Sequence, residues 1–143
     1  MTSVGVLIRD VRLLDPSMSL NKQGDLLIVD GRIQKIGSAI RDGEVPSGVE
    51  VISGKGLVAC PGFIDLHTHL REPGYEDKET IATGVMAAAR GGFTTICCMP
   101  NTNPPIDNVS VLQNVCSKAK MADSVRVLPI GCVSKGREGK HLA

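Results

Sequence analysis

The sequence predicts an α/β protein: a small β-rich segment over residues 1–57, then strands alternating with helices over residues 58–143. Three observations carry that reading. Branched, strand-forming runs in the first third are punctuated by turn dipeptides, Asp15-Pro16 and Asp30-Gly31 among them. Beyond Cys60 the apolar pattern switches between strand-like runs and helical spacing. Two of those runs, Phe93 to Met99 and Val125 to Val133, are apolar almost throughout, as strands buried on both faces of a parallel sheet are. Strand–helix–strand alternation at these lengths implies parallel strands joined by right-handed crossovers.

Taken in order, Val4 to Ile8 and Val11 to Leu14 read as two short strands ending at Asp15-Pro16. Leu26 to Val29 and Arg32 to Ile36 form a hairpin across Asp30-Gly31, because a type I′ turn needs positive φ at both central residues. Ile33 and Ile36 break strict alternation, so the second of these strands is expected to be irregular. Residues 37–50 read as a loop, and Val51-Ile52 and Gly56 to Ala59 as two further short strands. Phe63 to Leu70 is the next strand, followed by a polar loop over residues 71–76. Asp77 is the expected N-cap of a helix in which Ile81, Val85 and Ala88 or Ala89 recur at helical spacing, with Gly91-Gly92 as its stop. After the strand Phe93 to Met99 comes a loop, Pro100 to Pro105. Asp107 or Asn108 caps a second helix, whose Leu112, Val115, Cys116 and Ala119 share one face. Val125 to Val133 is the third strand of this unit, and His141 falls in an expected helix start.

The chemistry concentrates in Asp65-Leu66-His67-Thr68-His69-Leu70-Arg71. Period-two alternation places Asp65, His67, His69 and Arg71 on one face of a strand. Two imidazoles at i and i+2 can reach one metal ion, each through a neutral ring nitrogen. Asp65 can accept the second ring N–H of such a ligand, or stand just behind the site. The cluster lies at the C-terminal end of its strand, the catalytic edge of parallel α/β folds. The same spacing also fits two half-exposed strand histidines. The metal reading gains weight because these are two of only three histidines in the chain and an arginine follows in register. Arg71 is either a surface charge or a forked partner for a substrate carboxylate. Asn101 is either a turn residue between Pro100 and Pro104 or an amide that hydrogen-bonds a polar substrate. Glu72, Glu76, Asp77 and Glu79 read as a solvated acidic cluster at a helix start. Lys135 reads as a solvated loop lysine, with a bridging carboxylated lysine as the alternative. Pro73-Gly74 and Gly91-Gly92 are turn and stop devices, since no phosphate-cradling glycine motif occurs.

Composition narrows the function classes. The hydrophobic fraction of 42% and charged fraction of 22% are those of a globular chain. A net charge of +1 leaves no electrostatic footprint for nucleic acid and no polybasic membrane patch. Tyr75, Phe63 and Phe93 are the only aromatics, too few for a base-stacking platform. No apolar run approaches the roughly 20 residues that span a bilayer. The first fifteen residues interrupt their apolar stretch with charge and lack a cleavage pattern, so a cytoplasmic location is expected. The five cysteines (Cys60, Cys97, Cys98, Cys116 and Cys132) show no CxxC spacing and read as reduced, buried small hydrophobes.

Three stretches, PGFIDLHTHLREPG (61–74), AAARGGFTT (87–95) and MPNTNPPIDN (99–108), closely resemble the cyclic amidohydrolases and, within them, the dihydroorotase family. GDLLIVDGRIQKIG (24–37) is similar to the small N-terminal β-domain of that superfamily. The HxH pair marks the superfamily, and its combination with REPG and MPNT marks the family. Hydantoinases and allantoinases look similar around HxH but do not pair it with this MPNT stretch. The resemblance implies a distorted (β/α)₈ barrel, with only its first three strands in residues 58–143, beside a β-sandwich built from both chain ends. It implies reversible hydrolysis of the cyclic amide of dihydroorotate to carbamoyl aspartate, a step of pyrimidine synthesis. By position, His67 and His69 would bind one zinc of a pair, and Arg71 and Asn101 would hold the substrate carboxylate.

In that family the bridging ligand, two further histidines and the aspartate general base come from later strands. A barrel of this type takes about 250 residues. The chain is therefore expected to be the N-terminal part of a longer enzyme, with its general base beyond Ala143 and no activity in isolation. The implied partner is a small-molecule substrate, not nucleic acid or membrane; a homo-oligomer and association with another pyrimidine enzyme both remain open. Competing readings are a hydantoinase-like cyclic amidohydrolase and a non-catalytic dihydroorotase-like subunit. A self-sufficient metal-binding domain is disfavoured by the open hydrophobic edge that Val125 to Val133 would leave.

Overall fold

Strand β1 (Gly5–Asp15) organises the N-terminal unit of the computed structural model, which describes residues 5–143. It pairs antiparallel with β2 (Leu20–Val29), which in turn pairs antiparallel with β3 (Arg32–Gly37). Strands β4 (Val49–Ser53) and β5 (Val58–Ala59) both run parallel to β1 rather than pairing with one another. The unit ends at Pro61. Val4, the expected first residue of the opening strand, lies outside the described residues.

The two strands expected on either side of residues 9–10 are one strand with a bulge. The register shifts between Ile8 and Val11, and Asp10 has φ 54°. The polar Arg9-Asp10 pair interrupts the apolar run and mimics a boundary, but the bulge turns both residues to use. Asp25, on β2, accepts from the Asp10 N–H at 3.0 Å and from Arg9 Nη1 at 2.9 Å. Asp30 and Gly31 have φ 51° and 71°, the positive pair that a type I′ turn requires. The irregularity expected in the second strand of that hairpin is a register shift: Ile28 faces Ile33 while Leu27 faces Lys35. Leu7, Leu27, Val29 and Ile40 form one buried cluster of this unit, and Val11, Leu13 and Leu26 another.

From Gly62 onward, β6 (Phe63–Thr68), β7 (Phe93–Cys98) and β8 (Arg126–Pro129) form a parallel sheet in chain order. Helices α1 (Ile81–Arg90) and α2 (Val109–Ala122) make the crossovers. Ile81 and Val85 from α1, Val111, Val115 and Ala119 from α2, and Ile96 and Cys98 from β7 close a single buried core with Leu70 and Ile106. The strand–helix alternation of the sequence is thus realised as α/β architecture, with four local differences.

Thr80, not Asp77, caps α1: its Oγ1 accepts the Thr83 N–H at 3.1 Å. The buried stripe of α2 is Val111, Val115 and Ala119, with Leu112 half-buried and Cys116 exposed. Burial in β7 is concentrated on Ile96 and Cys98, with Thr94 exposed, so the strand is not equally buried on both faces. Strand β8 stops at Pro129; Ile130 N–H still donates to the Cys98 carbonyl, but Cys132 N–H then turns to the Ile106 carbonyl and the chain leaves the sheet. Of the five cysteines only Cys98 is buried, so the small-hydrophobe reading holds for it alone. Burial pushes its thiol up to about 11.

Candidate functional site

The candidate site grows from the C-terminal end of β6. Asp65 pairs with Ile96 and Thr68 with Cys98, so three steps along β6 oppose two along β7. That bulge breaks the period-two alternation expected from Asp65 to Arg71. Asp65 stabilises it by accepting the His67 backbone N–H at 3.0 Å, so its carboxylate serves the main chain rather than an imidazole ring nitrogen. Thr68 holds the strand end to the sheet through Oγ1 to the Cys97 carbonyl at 2.9 Å.

The histidines nevertheless converge. Their ring centroids lie 5.1 Å apart with planes inclined by 63°. His69 Nδ1 is 2.9 Å from Asn101 Oδ1, in the loop after β7. An amide oxygen only accepts, so this contact is a hydrogen bond in the tautomer that carries its proton on Nδ1, the one whose Nε2 lone pair could face a metal. A neighbour that fixes ring and tautomer is what a histidine ligand requires. In this arrangement Asn101, and not Asp65, is the hydrogen-bond partner of the His69 ring.

The chain then leaves the strand abruptly. Arg71 has φ 62°, the Glu72 N–H donates to the Leu70 carbonyl at 2.7 Å, and the Tyr75 N–H donates to the Arg71 carbonyl at 3.1 Å. Arg71 is half-buried at the head of this loop. The loop touches the one that carries Asn101. Asn103 N–H donates to the Pro73 carbonyl at 2.9 Å, and Gly74, with φ 98°, lies so close that a Cβ there would stand 2.0 Å from the Asn103 carbonyl oxygen.

Of the four acidic residues Glu76 and Asp77 are exposed, as a solvated cluster would be, whereas Glu72 and Glu79 are half-buried. Glu72 has a side chain only 11% exposed: its Oε2 accepts the Ile81 N–H at 2.8 Å, and its Oε1 pairs with Lys118 on α2. Both oxygens of Glu76 accept the Gly74 N–H at 3.0 Å, and that bond holds its carboxyl below the usual value. Glu79 accepts from Thr83 Oγ1. Sequence reasoning missed Glu72 because its partners, nine and 46 residues away, leave no local signal.

Among the described residues no group of three or more His, Cys, Asp or Glu is placed to hold a metal ion. His67 and His69 could supply two donors of a larger set, and imidazole is a ligand type that suits zinc. The remaining candidates lie elsewhere. Lys135 opens a 3₁₀ turn, Lys135–Arg137, and is exposed. His141 is exposed in an irregular segment, not a helix start; its carbonyl accepts the Lys135 N–H at 2.9 Å. Ala143 N–H donates to the Val133 carbonyl at 3.2 Å, so the segment from Val133 to Ala143 folds back on itself. It brings no third metal donor to the histidine pair.

The fold is shared with solved hydantoinases. L-hydantoinase (dihydropyrimidinase) from Arthrobacter aurescens superposes with a TM-score of 0.76 at 24% identity, over 90% of this chain and 28% of that one. A D-hydantoinase superposes with a TM-score of 0.73 at 30% identity, over 91% and 27%. The chain is thus an α/β scaffold of the hydantoinase type, with a histidine pair at its strand ends. Residues 55–143 match the dihydro-orotase-like family, and the chain belongs to that family. It is 48% identical to the dihydroorotase of Aquifex aeolicus over 138 residues, 96% of this chain and 32% of that relative. It is also 48% identical to the dihydroorotase of Syntrophus aciditrophicus, with the same coverage. The chain spans about a third of the length of the curated relatives it matches.

Proposed function

We propose that these residues are the N-terminal part of a dihydroorotase, which opens the cyclic amide of dihydroorotate to carbamoyl aspartate and closes it again. The observation that carries this reading is the His67–His69 pair, rings 5.1 Å apart, with His69 oriented by Asn101. His67 and His69 would hold one zinc of a pair. When bound, zinc lowers the pKa of a coordinated water and polarises the amide carbonyl. This chain's own residues prepare that chemistry. Asn101 keeps the His69 proton on Nδ1, and its Nδ2 group makes no hydrogen bond among the described residues, leaving it to donate to substrate. Arg71, at the turn after the histidines, presents a cation to the substrate carboxylate. Strands β6 to β8 are the first three of a (β/α)₈ barrel, and β1 to β5 begin a β-sandwich. The bridging ligand, further histidines and the general base belong to later strands, beyond Ala143. The proposed compartment is the cytoplasm, and the proposed assembly a homo-oligomer or a complex with another pyrimidine enzyme. No helix among the described residues is long and apolar enough to cross a membrane.

The test is a dihydroorotate assay on the full-length enzyme with its Arg71→Ala variant. The expected outcome is turnover by the parent and a KM raised about tenfold or more in the variant, the scale of one lost charge-assisted contact, with zinc content unchanged. Loss of zinc with retained affinity for a carboxylate inhibitor would overturn the role given to Arg71. The likeness to the hydantoinases favours a second reading, hydrolysis of hydantoin-like rings. Faster turnover of hydantoin than of dihydroorotate by the parent enzyme would establish it instead.

A further inference from the structure

We propose that Glu72 is the positioning residue of the Arg71 loop: it clamps the turn that presents the arginine. Arg71 is a non-glycine residue at φ 62°, a conformation that persists only where the surroundings over-determine it. Two anchors do so. On the N-terminal side Leu70 is buried, its Cδ2 lying 2.5 Å from where a Cβ on Gly84 would stand, so the absence of a side chain at Gly84 on α1 makes room for it. On the C-terminal side the Glu72 carboxylate reaches two helices at once, accepting the Ile81 N–H at the start of α1 at 2.8 Å and pairing with Lys118 of α2. Between the anchors the Glu72 N–H closes a three-residue turn on the Leu70 carbonyl at 2.7 Å, with Arg71 at its centre. The bonds of the Glu72 carboxylate run to Ile81 and Lys118 and none to His67 or His69, so the clamp acts on the loop that carries the cation.

The inference rests on the reading in which Arg71 binds the substrate carboxylate, and its test separates the two. In the full-length enzyme Glu72→Ala is expected to raise KM for dihydroorotate about tenfold while kcat changes less than about twofold, since binding and not chemistry is displaced. Zinc content is expected to be unchanged. Glu72→Gln keeps an oxygen for the Ile81 N–H but loses the ion pair; Lys118→Met removes the ion pair from the other side. Both are expected to give intermediate KM values, and both keep the idea testable if Glu72→Ala folds poorly. Hydrogen exchange supplies a readout independent of activity: the Glu72 and Tyr75 amides are expected to exchange at least about tenfold faster in Glu72→Ala, as local opening becomes easier. If Arg71→Ala raises KM and Glu72→Ala does not, the clamp is wrong and the functional reading stands. If exchange rises in Glu72→Ala but Arg71→Ala leaves KM unchanged, the clamp holds the turn, but the functional reading and the positioning role fall together. Unchanged exchange at both amides overturns the clamp whatever the kinetics.

Discussion

Asp25 is a carboxylate buried in a sheet, 5% exposed, and three donors keep it charged. Burial by itself would raise its pKa. The Asp10 and Ile40 amides, and then the Arg9 guanidinium, outweigh burial and hold the carboxyl below its ordinary 3.8. A pKa lower in the folded than in the unfolded chain adds stability that is fully present above about pH 4 and is lost as pH falls through the folded value. Asp25→Asn would set an amide N–H₂ against at least one of the N–H donors and leave Arg9 without its buried partner. The expected cost at pH 7 is about 3 kcal/mol. Denaturant unfolding over a pH series checks it. The gap between variant and parent is expected to close below about pH 4, as protonation takes the same contribution from the parent. A gap independent of pH would show that the charge of Asp25 is not its source. The exposed Arg9–Asp42 pair, at 2.6 Å, adds little by comparison because Asp42 is solvated.

At the scale of elements, α1 begins where a side chain takes up its first amides, and Thr80 and Thr83 do so reciprocally. Each hydroxyl accepts the other residue's backbone N–H at 3.1 Å. Asp77 has the better capping side chain on propensity, but the Tyr75 carbonyl already holds the Lys78 and Glu79 amides in a turn, which places Asp77 outside the helix. Thr80→Ala is expected to cost about 1 kcal/mol and Asp77→Ala less than about 0.5 kcal/mol. Equal losses in thermal unfolding would return the cap to Asp77. The hairpin at Asp30-Gly31, the strand–helix alternation and the histidine pair were legible because each depends on residues within a few positions. The bulges at Arg9-Asp10 and Leu66-His67 were not. They are fixed by Asp25 fifteen residues from Asp10, and by register against β7. Helix α2 shows the same limit, since Val111, Leu112, Val115, Cys116 and Ala119 form two overlapping stripes, and only packing against α1 and the sheet selects the one through Val111.

At the scale of the whole molecule, the 143 residues bring together a histidine pair and its supporting loops but not a closed coordination shell. Catalytic zinc takes three protein ligands and a water. His67 and His69 could supply two, Asp65 is engaged by the His67 amide, and His141 and Lys135 are exposed on an irregular segment after β8. The sheet is equally open. Among the described residues β6 and β8 each pair only with β7, and Ile64 and Leu66 on β6 and Leu128 on β8 are exposed. Such edges invite association with other chains. A polypeptide ending at Ala143 is therefore expected to show no dihydroorotate turnover with zinc supplied, to bind zinc far more weakly than the full-length enzyme, and to self-associate as its concentration rises. A zinc titration, an activity assay and sedimentation on one preparation check the three together. Turnover at an ordinary enzymatic rate would mean that the general base lies within these residues rather than beyond Ala143. Asp65 or Glu79, both beside the cleft at His69, would then be the first to substitute.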